Sequence, residues 1–168
     1  MAALPLTALP AHPPKTPMVS WGKAGVAFDT YRADAVECGR AGHFRDVSDT
    51  EAAKVFRDAS RRLEDNETAL GLAAQTGDLT RVGNINAMSQ QIISGTRPRE
   101  RMREVAGVLN DTVAACLTQR GYVRFTLTEA QEKSLKADPA GTEARHHFLH
   151  ALASDAKVLA VQASASAT

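Results

Sequence analysis

Four groups of residues in this 168-residue chain have types and spacings that could do chemistry. The most metal-like is Arg145-His146-His147-Phe148-Leu149-His150. His146 and His150 stand four apart, so a helix would put both imidazoles on one face, within reach of one ion. A zinc site needs at least a third protein ligand, and no His-Glu-x-x-His arrangement is present. The simpler expectation is a helix with incidental histidines, with no metal and no cofactor. A metal-dependent hydrolase is the third function to weigh.

Arg97-Pro98-Arg99-Glu100-Arg101-Met102-Arg103 places Arg97, Arg99, Arg101 and Arg103 at a predicted helix N-terminus. The helix dipole disfavours cations there. An anion held by free backbone N–H groups and the guanidinium groups would relieve that crowding. The bland alternative is a solvated basic turn paired with Glu100, Glu104 or a neighbouring helix. The carboxylates Asp34, Glu37, Glu64 and Asp65 lie on predicted polar faces, and no pair is placed for acid–base work. The chain has no Gly-rich phosphate loop and no Gly-x-Ser-x-Gly elbow. No catalytic residue is assigned.

Cys38 and Cys116 are the only cysteines. Without a Cys-x-x-Cys pair they exclude a zinc ribbon and a thioredoxin-type motif. Two buried thiols and one disulfide are both compatible with such a pair. Disulfides persist in oxidising compartments, so redox state and localisation are one question. A catalytic thiol is not expected, because no histidine base is fixed beside either cysteine and inward thiols are usually inert.

Helices must position these groups. Composition is 43% hydrophobic but only 5% aromatic, so the core must be built mainly from Ala, Val, Leu and Ile. The formal net charge of +1 argues against a broad nucleic-acid or anionic-lipid footprint. No apolar run reaches the length of a membrane span. Five prolines in residues 1–20 preclude a long helix there. Leu9-Pro10-Ala11 has the small-residue character of a cleavage site, but a basic n-region and a longer apolar core are missing. A signal-peptide remnant and a flexible Pro-rich leader both fit.

Past the turn-rich Trp21-Gly22-Lys23-Ala24-Gly25, the spacing predicts a helix over about 29–41 with Asp29 as N-cap and Phe28, Tyr31, Ala35 and Cys38 on one face. A capping box from Ser48 to Glu51 predicts a long helix over about 50–75, stopped by Gly77. A third helix follows over about 79–93. A fourth opens at Pro98, with Met102, Val105, Leu109, Val113 and Cys116 as its apolar stripe, and ends at Gly121. Val123, Phe125 and Leu127 alternate with polar residues, which gives a short extended segment near 122–127. No second strand is evident, so a connector lying on the helices is expected. Thr128 and Thr142 cap two short helices, and a last one restarts at Ser154-Asp155. The tail 163–168 is small and polar. The expected architecture is mostly α: one domain over 21–162, an irregular bundle of five to seven helices.

Tyr31…Asp34…Cys38 followed by Cys116-Leu117-x-x-Arg120-Gly121-Tyr122 resembles small, poorly characterised envelope proteins of proteobacteria. These carry a Tyr-x-x-Asp-x-x-x-Cys helix and a later Cys-x-x-x-Arg-Gly-Tyr helix end. The ending Leu127-Thr128-x-x-Gln131…Gly141…Arg145…Leu149-His150-x-Leu152-Ala153-Ser154-Asp155 is also similar to theirs. The resemblance implies export, often as a lipoprotein, and a Cys38–Cys116 disulfide. Such a bond would contribute roughly 4–5 kcal/mol in the chain-entropy model. The missing lipobox departs from the family. No agreed activity comes with it.

The leading expectation is a non-enzymatic cell-envelope protein, periplasmic, acting on an unknown protein or envelope component. The alternative is a cytoplasmic binding or regulatory module that uses the arginine cluster for an anion, with reduced cysteines. Oligomeric state is open.

Overall fold

The computed structural model describes residues 17–163. The expected leader therefore lies outside the described residues except for 17–20, as does the tail beyond Ala163. Among the described residues are seven helices and one two-stranded antiparallel sheet. The mostly α architecture is as the sequence implied. These residues form two compact units, one of residues 17–31 and 121–163, the other of 32–120.

The continuous unit contains most of α1 (Phe28–His43) and all of α2 (Glu51–Gln75), α3 (Leu79–Gly95) and α4 (Pro98–Gln119). Asp29, expected as the cap of α1, falls inside its first turn instead. The α2 cap also moves. Thr50 Oγ1, not Ser48, accepts the Ala53 N–H at 3.2 Å. The cause is local. The Asp46 carboxylate accepts the Ser48 N–H at 2.8 Å, an Asx turn that keeps the chain non-helical for two more residues. That N–H, then the Ser48 hydroxyl, holds the Asp46 carboxyl below its usual range.

α2 and α3 form an antiparallel hairpin, because only three residues join them. Gly77 adopts φ +69°. That lets Asp78 donate to the Ala73 carbonyl and Gly77 to the Ala74 carbonyl, a Schellman closure. Asp78 then caps α3 through the Arg81 N–H at 2.9 Å. Buried Ala52, Ala73, Ile85 and Ile92 line the hairpin. On α4 the expected apolar stripe begins late, because Met102 is exposed and burial is deepest at Leu117.

The discontinuous unit is built on β1 (Val19–Gly22) and β2 (Val123–Thr126), paired from Val19↔Thr126 to Gly22↔Val123. The segment near 122–127 is thus a strand with a partner, not a connector. Four residues, Val-Ser-Trp-Gly, give β1 too little alternation to be recognised. Three short helices pack here: α5 (Glu129–Ala137), α6 (Glu143–Ser154) and α7 (Ala156–Gln162). The Thr128–Gln131 capping box and the Thr142 cap are both formed. Arg145 donates to the Leu135 and Asp138 carbonyls at 2.5 and 3.1 Å, closing the C-terminus of α5. Phe125, Leu127, Leu135, Ala153 and Leu159 form the core.

Gly22 is where β1 meets α6. Lys23 N–H donates to the Ala153 carbonyl at 2.8 Å. A Cβ on Gly22 would lie 2.6 Å from that same oxygen and 2.6 Å from Leu159 Cδ2. Gly22→Ala is therefore expected to cost about 1–3 kcal/mol by overpacking, and Thr50→Ala about 1 kcal/mol by loss of the cap. Urea unfolding of each variant measures both.

Candidate functional site

The sequence pattern that stood out, Tyr31-x-x-Asp34-x-x-Glu37-Cys38 with Cys116-x-x-x-Arg120, is assembled where α1 crosses α4. Cys38 and Cys116 are bonded, with Cα atoms 5.5 Å apart and a separation of 78 positions in sequence. Cys38 is wholly buried and Cys116 half-buried.

The crossing is antiparallel, and it pairs residues one helical turn on either side of the bond. One turn before Cys38 is Asp34, and one turn after Cys116 is Arg120. The Arg120 Nη1 donates to Asp34 Oδ1, and its Nη2 lies 2.5 Å from Glu37 Oε1. One turn after Cys38 is Gly42, and about one turn before Cys116 is Val113. A Cβ on Gly42 would collide with Val113 Cγ2 and sit 3.1 Å from the Leu109 carbonyl oxygen. The result is a ladder of three rungs, in order salt bridge, disulfide and close backbone approach. Glycine is required at the third rung because a side chain there would run into α4.

The two carboxylates differ. The Asp34 side chain is 15% exposed and the Glu37 side chain 69%. Asp34 is the rung and Glu37 an outer strut. Hydrogen bonds donated to Glu37, then to Asp34, raise the already high Arg120 pKa further, so the guanidinium stays charged. Arg120 and its partners were not expected as a set. Their signal is the symmetric spacing, four residues before one cysteine and four after the other, which acquires meaning only once the cysteines are paired.

The two cysteines of the chain are both in the bond, so neither offers a thiolate nucleophile.

The four arginines at the start of α4 are not gathered into one concavity. Arg97, at φ 48°, lies 3.5 Å from Glu100. Arg101 lies 2.8 Å from Glu104 Oε2. The other oxygen of Glu104 accepts the Ala52 N–H at the start of α2, at 3.1 Å, where a carboxylate is favoured. Arg99 and Arg103 are exposed. Positions 97 and 101 lie on one side of the helix and 99 and 103 on nearly the opposite side, since each step of two turns the helix about 200°.

His146 and His150 share a helix, α6. His150 Nε2 lies 2.8 Å from the Val26 carbonyl oxygen, a contact in which the nitrogen donates. His147 stacks on Phe28 with ring centroids 3.9 Å apart and lies 3.5 Å from Glu143. No group of three His, Cys, Asp or Glu among the described residues could hold a metal. Tyr31 lies beside His150 and Tyr122, with ring centroids 5.6 and 6.3 Å away. Burial pushes its hydroxyl pKa up, partly offset by a hydrogen bond with Ser20.

A groove of about 310 Å³ lies between α2 and α3, with Val55, Ala59 and Ile92 as its apolar lining and Asp58, Arg62, Met88, Gln91 and Thr96 around them. The chain matches no protein-family model, no curated protein and no solved structure. No helix among the described residues is long and apolar enough to cross a membrane.

Two expectations follow. Arg120→Met removes the charge partner of half-buried Asp34, so it should lower the melting temperature more than Glu37→Gln does; differential scanning calorimetry compares them. Tyr31 has a folded pKa raised above its unfolded value of about 10, so its contribution is complete below that pH and is lost as pH rises through the folded pKa. Tyr31→Phe should therefore flatten the fall of melting temperature above about pH 10.

Proposed function

We propose that the chain is an exported, non-enzymatic protein of the bacterial cell envelope that works by contact with a protein or another envelope component. The observation that carries this reading is the Cys38–Cys116 disulfide. A bond of this kind persists where thiols are not kept reduced: the periplasm, the cell surface or the secreted space. The resemblance of the Tyr31…Cys38 and Cys116…Tyr122 segments to exported proteobacterial proteins points the same way, and so does the placement of those residues on a crossing that serves to hold the fold.

The α2–α3 groove is the natural contact surface. Its lining is mixed, with apolar Val55, Ala59 and Ile92 beside polar Gln91 and Thr96; Asp58 and Arg62 give it both signs of charge, and Met88 is exposed at its edge. An adaptable methionine at a groove of mixed polarity suits a protein side chain or helix.

The test is made on protein in its own cells. Osmotic shock separates periplasm from cytoplasm, and each fraction is alkylated without reductant and weighed intact. The expected result is protein in the shock fluid with neither cysteine alkylated. Protein confined to the cytoplasm with two alkylated cysteines would overturn the reading.

A further inference from the structure

The unit that carries the sheet is made of two stretches of chain, residues 17–31 and 121–163, and the other unit is the whole of the chain between them. The chain leaves the sheet-bearing unit after Tyr31 and returns at Gly121. Cys38 lies just beyond the exit and Cys116 just before the return. We propose that the Cys38–Cys116 bond is an assembly device for the sheet-bearing unit: it keeps the two halves of that unit tethered independently of whether α2 and α3 are folded.

The argument is one of path length. Along the backbone, β1 and β2 are joined through about 100 residues, 23–122; through the bond they are joined by about 23, residues 23–38 and 116–122. Closure probability falls as roughly the three-halves power of length, so the bond favours pairing of the two strands by about ninefold. While the α1–α4 crossing is formed, its Asp34–Arg120 ion pair and the close approach at Gly42 also hold exit and return together. The bond matters when these are absent: during folding, or when the hairpin opens. The interactions that join the two halves then have to form across that gap: the register Val19↔Thr126 to Gly22↔Val123, the Lys23–Ala153 hydrogen bond, and the His150–Val26 contact. None of these touches a cysteine, so the bond acts on them through chain connectivity alone. In the open chain they pay the full entropy of a long loop.

Trp21 makes this measurable. It is the only tryptophan, it lies in β1, and it pairs with Arg124 across the sheet. The full chain is titrated with urea, oxidised and in dithiothreitol, following Trp21 emission for the sheet and far-ultraviolet circular dichroism for the helices. Dithiothreitol supplies two electrons and two protons. Cys38 and Cys116 become thiols, and the reagent closes into a cyclic disulfide. The expected result is that reduction lowers the Trp21 midpoint as well as the helical one. A helical midpoint that falls while the Trp21 midpoint stays put would overturn the proposal, because the bond would then serve only its own unit.

A second measurement stands even if the reduced chain does not fold. In an oxidised Ile85→Ala/Ile92→Ala chain, the two buried isoleucines of α3 are truncated and the hairpin is undone. Trp21 should keep its folded emission there and lose it when dithiothreitol is added. Water-like emission already present in the oxidised variant, or folded emission that survives reduction, would each overturn the proposal.

Discussion

The crossing of α1 over α4 is the constraint on which the rest of unit 32–120 depends. Along its course in this unit α1 buries only Cys38 and Gly42. An isolated helix of this length is marginal in water, and apolar burial along one stripe is what normally holds such a helix down. α1 lacks that burial. A covalent bond, a charge-assisted fork and one close backbone approach take its place, stacked a turn apart. The arrangement explains why the helix can carry so many exposed small residues (Ala33, Ala35, Gly39, Ala41) without drifting from its place. It is fixed at points along one narrow edge. The expected face of Phe28, Tyr31, Ala35 and Cys38 was therefore only partly right: the edge that counts in this unit runs Asp34, Cys38, Gly42.

The sheet-bearing unit solves a different problem. Two four-residue strands are too little to be stable alone. They are completed from the side by helix ends. The carbonyls of Ala153 and Ser154 at the close of α6 accept the Lys23 and Gly25 N–H groups. Glu132 on α5 accepts the Met18 N–H at 2.7 Å. Ala163 after α7 bridges to Phe125. Backbone groups left over by short helices and short strands thus satisfy one another, and Phe125, fully buried, fills the space they enclose.

Much of this was legible in the residues. Helix spans followed from caps and glycines, because an N-cap oxygen or a left-handed glycine acts within a few residues and needs no tertiary context. Gly77, Thr128 and Thr142 are of that kind. What could not be read depends on partners distant in sequence. β1 has no periodicity of its own and becomes a strand only because β2 lies beside it. The Thr50 cap was missed because Asp46 competes for the backbone at Ser48. The Arg120 fork was written in the spacing, but its meaning rests on a cysteine pairing that two isolated cysteines do not prove. At the candidate sites, the arginine cluster and the histidines were read as residue types. The structure separates the arginines onto two helix sides, and it commits His150 to a carbonyl.

The bond also fixes how the molecule would carry a load. In covalent terms the chain is a ring of residues 38–116 with a tail at each side, and both tails end in the sheet-bearing unit. Tension applied between the two ends of the described chain runs through residues 17–38, crosses the sulfur–sulfur bond, and leaves through 116–163. No force passes through α2, α3 or most of α4. A groove on that hairpin would keep its shape while the protein is pulled taut.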